Sequence, residues 1–263
     1  MEESALRWLT RPLEGAYWGL FVDGTNFKIQ RAGSTEKEPA LVVLGLDTQN
    51  RMSILAIEPG RKDSAECWST VFEDLKRRGL KAEEVRIGIM DGLPGLEKVF
   101  GEHFDRAVAA RCWVHAMRNA MAKVPERFAE AFKGMTREVM YAENEEGARQ
   151  AFERLKRTFG RDAERAVLCL EKDLEALLVH YRFDKLLWRT LRSTNPIERV
   201  NKEFKRRTKS MESLGEKTMR MVTAFIALRL EYHWRRLSVD LPHLEMKQVR
   251  RNTVELAVKA LIH

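Results

Sequence analysis

Apolar positions along the chain change their spacing twice, and the changes divide it. Between Tyr17 and Ile57 they come in short runs: Tyr17-Trp18-Gly19-Leu20-Phe21-Val22, Leu41-Val42-Val43-Leu44-Gly45-Leu46, and Met52 to Ile57. Runs of this length, bounded by Asp-Gly, Asp-Thr-Gln-Asn and Pro-Gly, predict buried strands, with the second and third joined as a hairpin. Phe27-Lys28-Ile29-Gln30 alternates, and it either continues the first strand or pairs with it. Ser64 to Arg78 then takes helical spacing, with Ser64 as the cap, Trp68, Val71, Phe72 and Leu75 on one face, and Gly79 as the stop. Val85, Ile87 and Ile89 alternate into a fourth strand that ends at Asp91-Gly92. A short helix follows from Pro94 to Gly101, and Ala107 to Val114 predicts a fifth strand.

From His115 to Arg192 the spacing is helical only, with turn signals at Pro125, Gly134, Gly147 and Gly160. Phe152, Leu155, Phe159, Leu168, Leu170, Leu174, Leu177, Leu178, Leu187 and Trp188 are its expected core. Ser193 to Lys209 reads as a helix that starts sharply, because Thr194 or Asn195 can cap it and Pro196 suits the first helical position. Wound at helical pitch, it places Ile197, Val200, Phe204 and Met211 on an apolar arc and Glu198, Asn201, Lys202, Lys205 and Lys209 on another. A long amphipathic helix after Gly215 carries Met219, Val222, Phe225, Ile226 and Leu230. Strands followed by mixed strands and helices give an α/β class. The expected division is a helix end and linker at 1–15, a sheet core at 16–115, an all-helical insertion at 116–191, the final core helices at 192–237 and a basic tail at 238–263.

Charge narrows the partner. The chain of 263 residues carries a net +8, and Tyr181 onward holds 19 Lys and Arg against 9 Asp and Glu, so +10 lies there and −2 in residues 1–180. A positive field at one end attracts polyanions, nucleic acid above all. No stretch of about 18 uncharged apolar residues predicts a membrane span, and the acidic N-terminus has no secretory h-region. Three scattered cysteines fit reduced thiols and a cytoplasmic setting better than a disulfide framework.

The candidate chemistry lies in acids. Two predicted strands end in Asp-Gly, at Asp23 and Asp91, and an acid at the end of a buried strand can face the crevice beyond the sheet edge. Glu198, in the first turn of a lysine-lined helix, adds a third carboxylate. Three hard oxygen donors suit Mg²⁺ or Mn²⁺, and two such ions can serve phosphodiester cleavage. Taken singly, Asp-Gly after a strand is more often a turn, and a first-turn Glu answers the helix dipole. Asp47 sits in an ordinary hairpin turn, and Glu203 is expected to pair with Arg199 or Arg206. Cys112 and His115 form half of a zinc motif. No second pair among Cys67, Cys169, His103 and His180 completes it, so zinc is not expected.

Three segments carry a resemblance. Thr194-Asn195-Pro196-Ile197-Glu198-Arg199-Val200-Asn201, with Arg206-Arg207 beyond it, resembles the T-N-x-I-E-R-x-N block of mutator-type insertion-sequence transposases. Asp91-Gly92-Leu93-Pro94-Gly95-Leu96 resembles that family's second-Asp segment, and Arg111-Cys112-Trp113-Val114-His115-Ala116-Met117-Arg118-Asn119 its C-x-x-H motif. The resemblance implies an RNase H-like mixed sheet flanked by helices and interrupted by an all-α insertion. It implies a DDE triad of Asp23, Asp91 and Glu198 holding two Mg²⁺ or Mn²⁺ ions, with Cys112, His115, Arg118 and Asn119 near the site. It further implies DNA cleavage and strand transfer by a dimer or higher oligomer. Asn195, Arg199, Asn201, Lys202, Lys205, Arg206, Arg207 and Lys209 are expected on DNA, and Trp188 either stacks on a base or sits in the helical core. The family's members carry an N-terminal DNA-recognition region that this sequence is expected to lack. Two other readings stand beside it: a truncated or domesticated DNA-binding protein without catalysis, and a plain RNase H-like nuclease.

Overall fold

The apolar runs become strands because their side chains are buried on both faces of one sheet. The computed structural model describes residues 2–31, 34–59, 64–92, 95–208 and 215–236. The strands are β1 (Tyr17–Arg31), β2 (Ser34–Asp47), β3 (Met52–Pro59), β4 (Ile87–Met90) and β5 (Val108–Arg111). Their order is β3-β2-β1-β4-β5, antiparallel through the first three and parallel from β1 to β5. This is the RNase H-like mixed sheet, flanked by helices. The β2–β3 hairpin closes as expected, with Asp47 Oδ1 accepting the backbone N–H groups of Gln49 and Arg51 at 2.8 and 2.9 Å.

Asp23 does not end a strand. β1 runs unbroken through Asp23-Gly24 to Arg31, because β2 is nearly as long and pairs with it throughout, Asp23 opposite Val42 and Phe27 opposite Glu38. What stops at Val22 is the parallel pairing with β4, where Val22 lies opposite Met90. Asp23 and Asp91 each directly follow that last pair. The fifth strand is also shorter than its apolar run. Trp113 and Val114 belong to helix α4 (Trp113–Met121), since the Trp113 indole is buried among helices and donates to the Leu177 carbonyl at 2.9 Å.

Alternation along β1 sends Leu20 and Val22 to one face and Phe21 to the other. Helices α2 (Ala65–Arg77) and α3 (Leu96–His103) cover the first face with Trp68, Val71, Phe72 and Phe100. The approach is close: a Cβ on Gly88 of β4 would lie 2.3 Å from the Phe100 ring. The other face is covered by α1 (Glu2–Thr10), α9 (Asn195–Thr208) and α10 (Glu216–Arg236), through Trp8, Ile197, Val200, Phe204, Ile226 and Leu230. Residues 1–15 hold the expected helix end and the connection after it. Most of them form α1, whose Ala5, Trp8 and Leu9 face this core. A buried acid fastens it: Glu231 of α10 accepts from Trp8 Nε1 at 2.9 Å, from the Ile54 N–H at 2.8 Å and from Arg11 at 3.0 Å.

Between β5 and α9 the chain is helical: α4, α5 (Ala129–Met140), α6 (Glu145–Phe159), α7 (Glu164–Leu178) and the short α8 (Trp188–Leu191). These helices bury Trp113, Phe132, Phe152, Leu155, Phe159, Leu170, Leu177 and Leu178 in a core of their own. Leu174 packs at its margin. Leu168 is 54% exposed, and Leu187 packs on the sheet side instead. Met211, Lys209 and the basic tail lie outside the described residues.

Candidate active site

Three acids reach one edge of the sheet from three elements: Asp23 from β1, Asp91 from the turn after β4 and Glu198 from the first turn of α9. Glu198 is placed by the start of its helix, where its N–H donates to the Thr194 carbonyl at 2.9 Å. The apolar arc then seats α9 against β1, with Phe204 edge-on to Phe27 at 6.4 Å between ring centroids. Full burial of a Phe side chain contributes about 1.5–3 kcal/mol. That packing also brings Asn201 inward, and its Nδ2 donates to Asp23 Oδ2 at 2.7 Å.

Asp23 is 7% exposed and is pushed up to about 7 from its ordinary value of 3.8. Burial is the largest cause, repulsion by Asp91 the next, and Glu198 adds to it, while His115 and the Asn201 hydrogen bond act in the opposite direction. Neighbouring acids that raise one another's proton affinity share one field. His115 lies beside them, with Nε2 at 3.5 Å from Glu198 Oε1, and is a countercharge when protonated. A hydrogen bond to Cys112 is the main reason its proton affinity is raised, and Asp91 and Glu198 add to it. Burial pushes the Cys112 thiol up, but hydrogen bonds from His115 and Thr194 together hold it below its ordinary value.

Cys112 ties the elements together. Its Sγ accepts from both the N–H and the hydroxyl of Thr194, each at 3.2 Å, and the same hydroxyl lies 3.3 Å from His115 Nδ1. The sulfur thus links the end of β5 to the residue that begins α9, and His115 reaches Glu198 from the same turn. The C-x-x-H spacing works here as an internal brace.

The structure moves one of the expected DNA contacts inside. Asn201 is buried on Asp23, so its place is within the acid cluster rather than on DNA. A face-by-face winding of α9 misses this, because Asn201 stands between the apolar and the cationic arcs. Asn195, Arg199, Lys202, Lys205, Arg206 and Arg207 are exposed. Glu203 pairs with Arg206 at 2.9 Å and with Arg207 at 3.3 Å, and no pair with Arg199 forms at hydrogen-bond distance. Arg118 and Asn119 are exposed on α4. Trp188 is half-buried: its ring stands edge-on to Tyr181 at 4.6 Å, and its Nε1 donates to the Phe183 carbonyl at 3.0 Å. Sequence reasoning missed Thr194 as the sulfur's partner, and also Arg111, whose guanidinium lies against Gly92.

Among the described residues, no group of three or more His, Cys, Asp or Glu stands arranged to hold a metal ion. The acids are electrostatic neighbours rather than a closed cage. The donor set nevertheless fits a hard cation. Asp91 Oδ1 and Glu198 Oε1 are buried oxygens without a hydrogen-bond partner, and such oxygens are costly to leave unanswered. No described helix is long and apolar enough to cross a membrane.

The sequence profile described as "Transposase, Mutator family" matches residues 1–236. The transposase of insertion sequence element IS6120 from Mycolicibacterium smegmatis is 32% identical over 229 residues, covering 87% of this chain and 69% of that protein. The transposase of IS905 from Lactococcus lactis is 31% identical over 208 residues, covering 79% of this chain and 52% of that protein. The chain therefore spans between about half and two-thirds of the length of these relatives. Among solved structures, a Drosophila P element transposase strand transfer complex overlaps 97% of this chain and 78% of that one at 11% identity, with a TM-score of 0.31. That overlap is too loose to add to what the strand order says. By the span of the profile match and the identity to full transposases, this chain belongs to the Mutator family of transposases.

Proposed function

We propose that this chain is the catalytic core of a DDE transposase, in which Asp23, Asp91 and Glu198 hold Mg²⁺ or Mn²⁺ and the exposed cations of α9 hold DNA. The observation that carries the proposal is the grouping of the three acids, with Asp23 buried on Asn201 and with Asp91 Oδ1 and Glu198 Oε1 buried without a hydrogen-bond partner. Bound divalent cations would polarise the scissile phosphodiester and the oxygen that attacks it. The chain's own groups prepare the place. Asn201 fixes the Asp23 carboxylate, Cys112 and Thr194 fix the start of α9, and His115 stands beside Glu198. Arg199, Lys202 and Lys205 line the solvent side of α9, where they would grip phosphates without reading sequence.

The reaction class supported is nicking at a transposon end, followed by attack of the freed 3′-OH on a second DNA. A labelled duplex carrying the element's end, incubated with protein and Mn²⁺, should be nicked and joined. Glu198→Gln should stop both steps while DNA binding stays within about twofold. Unchanged cleavage in that variant removes Glu198 from the site. Replacing Lys202 and Lys205 with Ala should lower the slope of log affinity against log salt by about 2. Nicking without joining would favour a hydrolytic nuclease, and salt-sensitive binding without cleavage a DNA-binding protein.

A further inference from the structure

Arg111 has no part in the acid cluster, yet its guanidinium is the group nearest the space beside Gly92, the residue after the second acid. It is the last residue of β5 and lies opposite Met90, the residue that precedes Asp91. Its side chain crosses to Gly92. There φ is +83°, and an ideal Cβ would stand 0.7 Å from the guanidinium NH1 and 1.4 Å from its Cζ. The left-handed backbone favours glycine at position 92, and any side chain there would have to push the guanidinium aside. The same guanidinium reaches two acids on two further elements. NH1 donates to Glu97 Oε1 on α3 at 3.3 Å, and Nε lies 3.2 Å from Asp173 Oδ2 on α7, an ion pair without the alignment of a hydrogen bond. The pair with Asp173 is the sheltered one, at 12% and 16% side-chain exposure, whereas Glu97 is 44% exposed.

Asp91 needs such support. Its Oδ1 is buried and accepts no hydrogen bond, so its direction depends on the backbone turn that carries it. Asp23 has Asn201, and Glu198 has His115 beside it and Cys112 behind its helix. For Asp91 the corresponding support is a guanidinium pressed on the next residue and tied to the helical unit. We propose that Arg111 is a positioning residue for Asp91, and that its ion pair with Asp173 couples the Asp91-Gly92 turn to α7. The proposal rests on the reading of Asp91 as a cation ligand. It concerns the placement of that acid, on which Arg111 acts through the turn that carries it. Outer groups that orient ligands commonly change metal affinity by about 10–100-fold, and a planar guanidinium spread over Gly92 between two acids is not replaced by a compact lysine ammonium.

The test uses the full chain and measures Mn²⁺ binding without DNA, from the loss of the free-ion paramagnetic resonance signal. Wild type, Glu198→Gln, Arg111→Lys, Asp173→Asn and the Arg111→Lys/Asp173→Asn double variant are compared, with circular dichroism and DNA affinity in EDTA alongside. Arg111→Lys should weaken Mn²⁺ binding by about 10–100-fold with DNA affinity unchanged. Asp173→Asn should weaken it about threefold or more, and the double variant should be no worse than Arg111→Lys alone, because both act through one link. Mn²⁺ affinity equal to wild type in Arg111→Lys or Asp173→Asn overturns the proposal, and so does a loss of DNA affinity in proportion to the loss of Mn²⁺. If Arg111→Lys does not fold, the nearly isosteric Asp173→Asn decides by its own affinity. Equal Mn²⁺ binding by wild type and Glu198→Gln would instead refute the acid cluster as the cation site, a failure distinct from that of Arg111.

Discussion

Asn in place of Asp23 should make the cation-free protein more stable above neutral pH, and the gain should grow with pH. The folded protein holds the Asp23 proton up to about pH 7, against an ordinary value of 3.8. The sign follows from linkage. A carboxyl raised on folding is no handicap while protonated, and its ionisation costs stability as pH climbs from its unfolded value through its folded one. The gap corresponds to about 4 kcal/mol at pH 8 and about 1 kcal/mol at pH 4.5. Asn keeps a carbonyl oxygen for Asn201 and presents an amide instead of a charge to Asp91 and Glu198. Thermal unfolding of both proteins in EDTA is the assay, and the pH dependence of their difference cancels every group they share. Asp23→Asn should gain about 3 kcal/mol on wild type between pH 4.5 and pH 8, roughly 6–12 °C in Tm for a chain of this size. Saturating Mg²⁺ at pH 8 should raise wild type and leave the variant nearly unmoved. A difference that stays flat with pH, or one that shrinks as pH rises, refutes the argument.

Other substitutions test the braces around the site. Cys112→Ala leaves the Thr194 N–H and hydroxyl without their buried acceptor and should cost about 1–3 kcal/mol in urea unfolding, while Cys112→Ser should recover part of it. Glu231→Ala strips a buried carboxylate from Trp8, Arg11 and Ile54, with an expected loss of about 3–5 kcal/mol. Because Glu231 lies away from the acids, Mn²⁺ affinity of the folded fraction should not change. His180 is buried, and burial holds it down to about 4, so stability should fall as pH drops from about 6.5 toward 4, by about 3 kcal/mol. In His180→Phe that acid slope should flatten, and an unchanged slope would assign it to other groups.

The strands were legible because their apolar runs are short and sharply bounded, and α9 because Pro196 and its apolar arc announce it. What escaped depended on partners far away in the chain. Asp-Gly after six apolar residues reads as a stop, and only the pairing with a nearly equally long β2 carries β1 past it. Asn201 stands at the margin of two arcs, and only the distance from α9 to β1 decides which it joins. Leu168 fits a helical core by spacing, yet α7 turns it to solvent. The buried Glu231 is invisible to periodicity because its three donors lie some 177–223 residues away. Asp23, Asp91 and Glu198 came into view through motifs. The groups that hold them, Thr194, Asn201 and Arg111, came into view only in three dimensions.

Asp23's place inside a long antiparallel ladder bears on which genetic errors the chain can survive. Side chains alternate along β1, so Asp23 shares its face with Phe21 and Phe27, and Val22 faces the opposite way. Loss or gain of one codon between Gly19 and Val22 would turn the acid toward α2 and bring an apolar residue or glycine to the edge where Asp91 and Glu198 stand. Nearby substitutions would leave the carboxylate pointing where it does. The chain should therefore tolerate spelling errors around its first acid far better than changes in the length of the word.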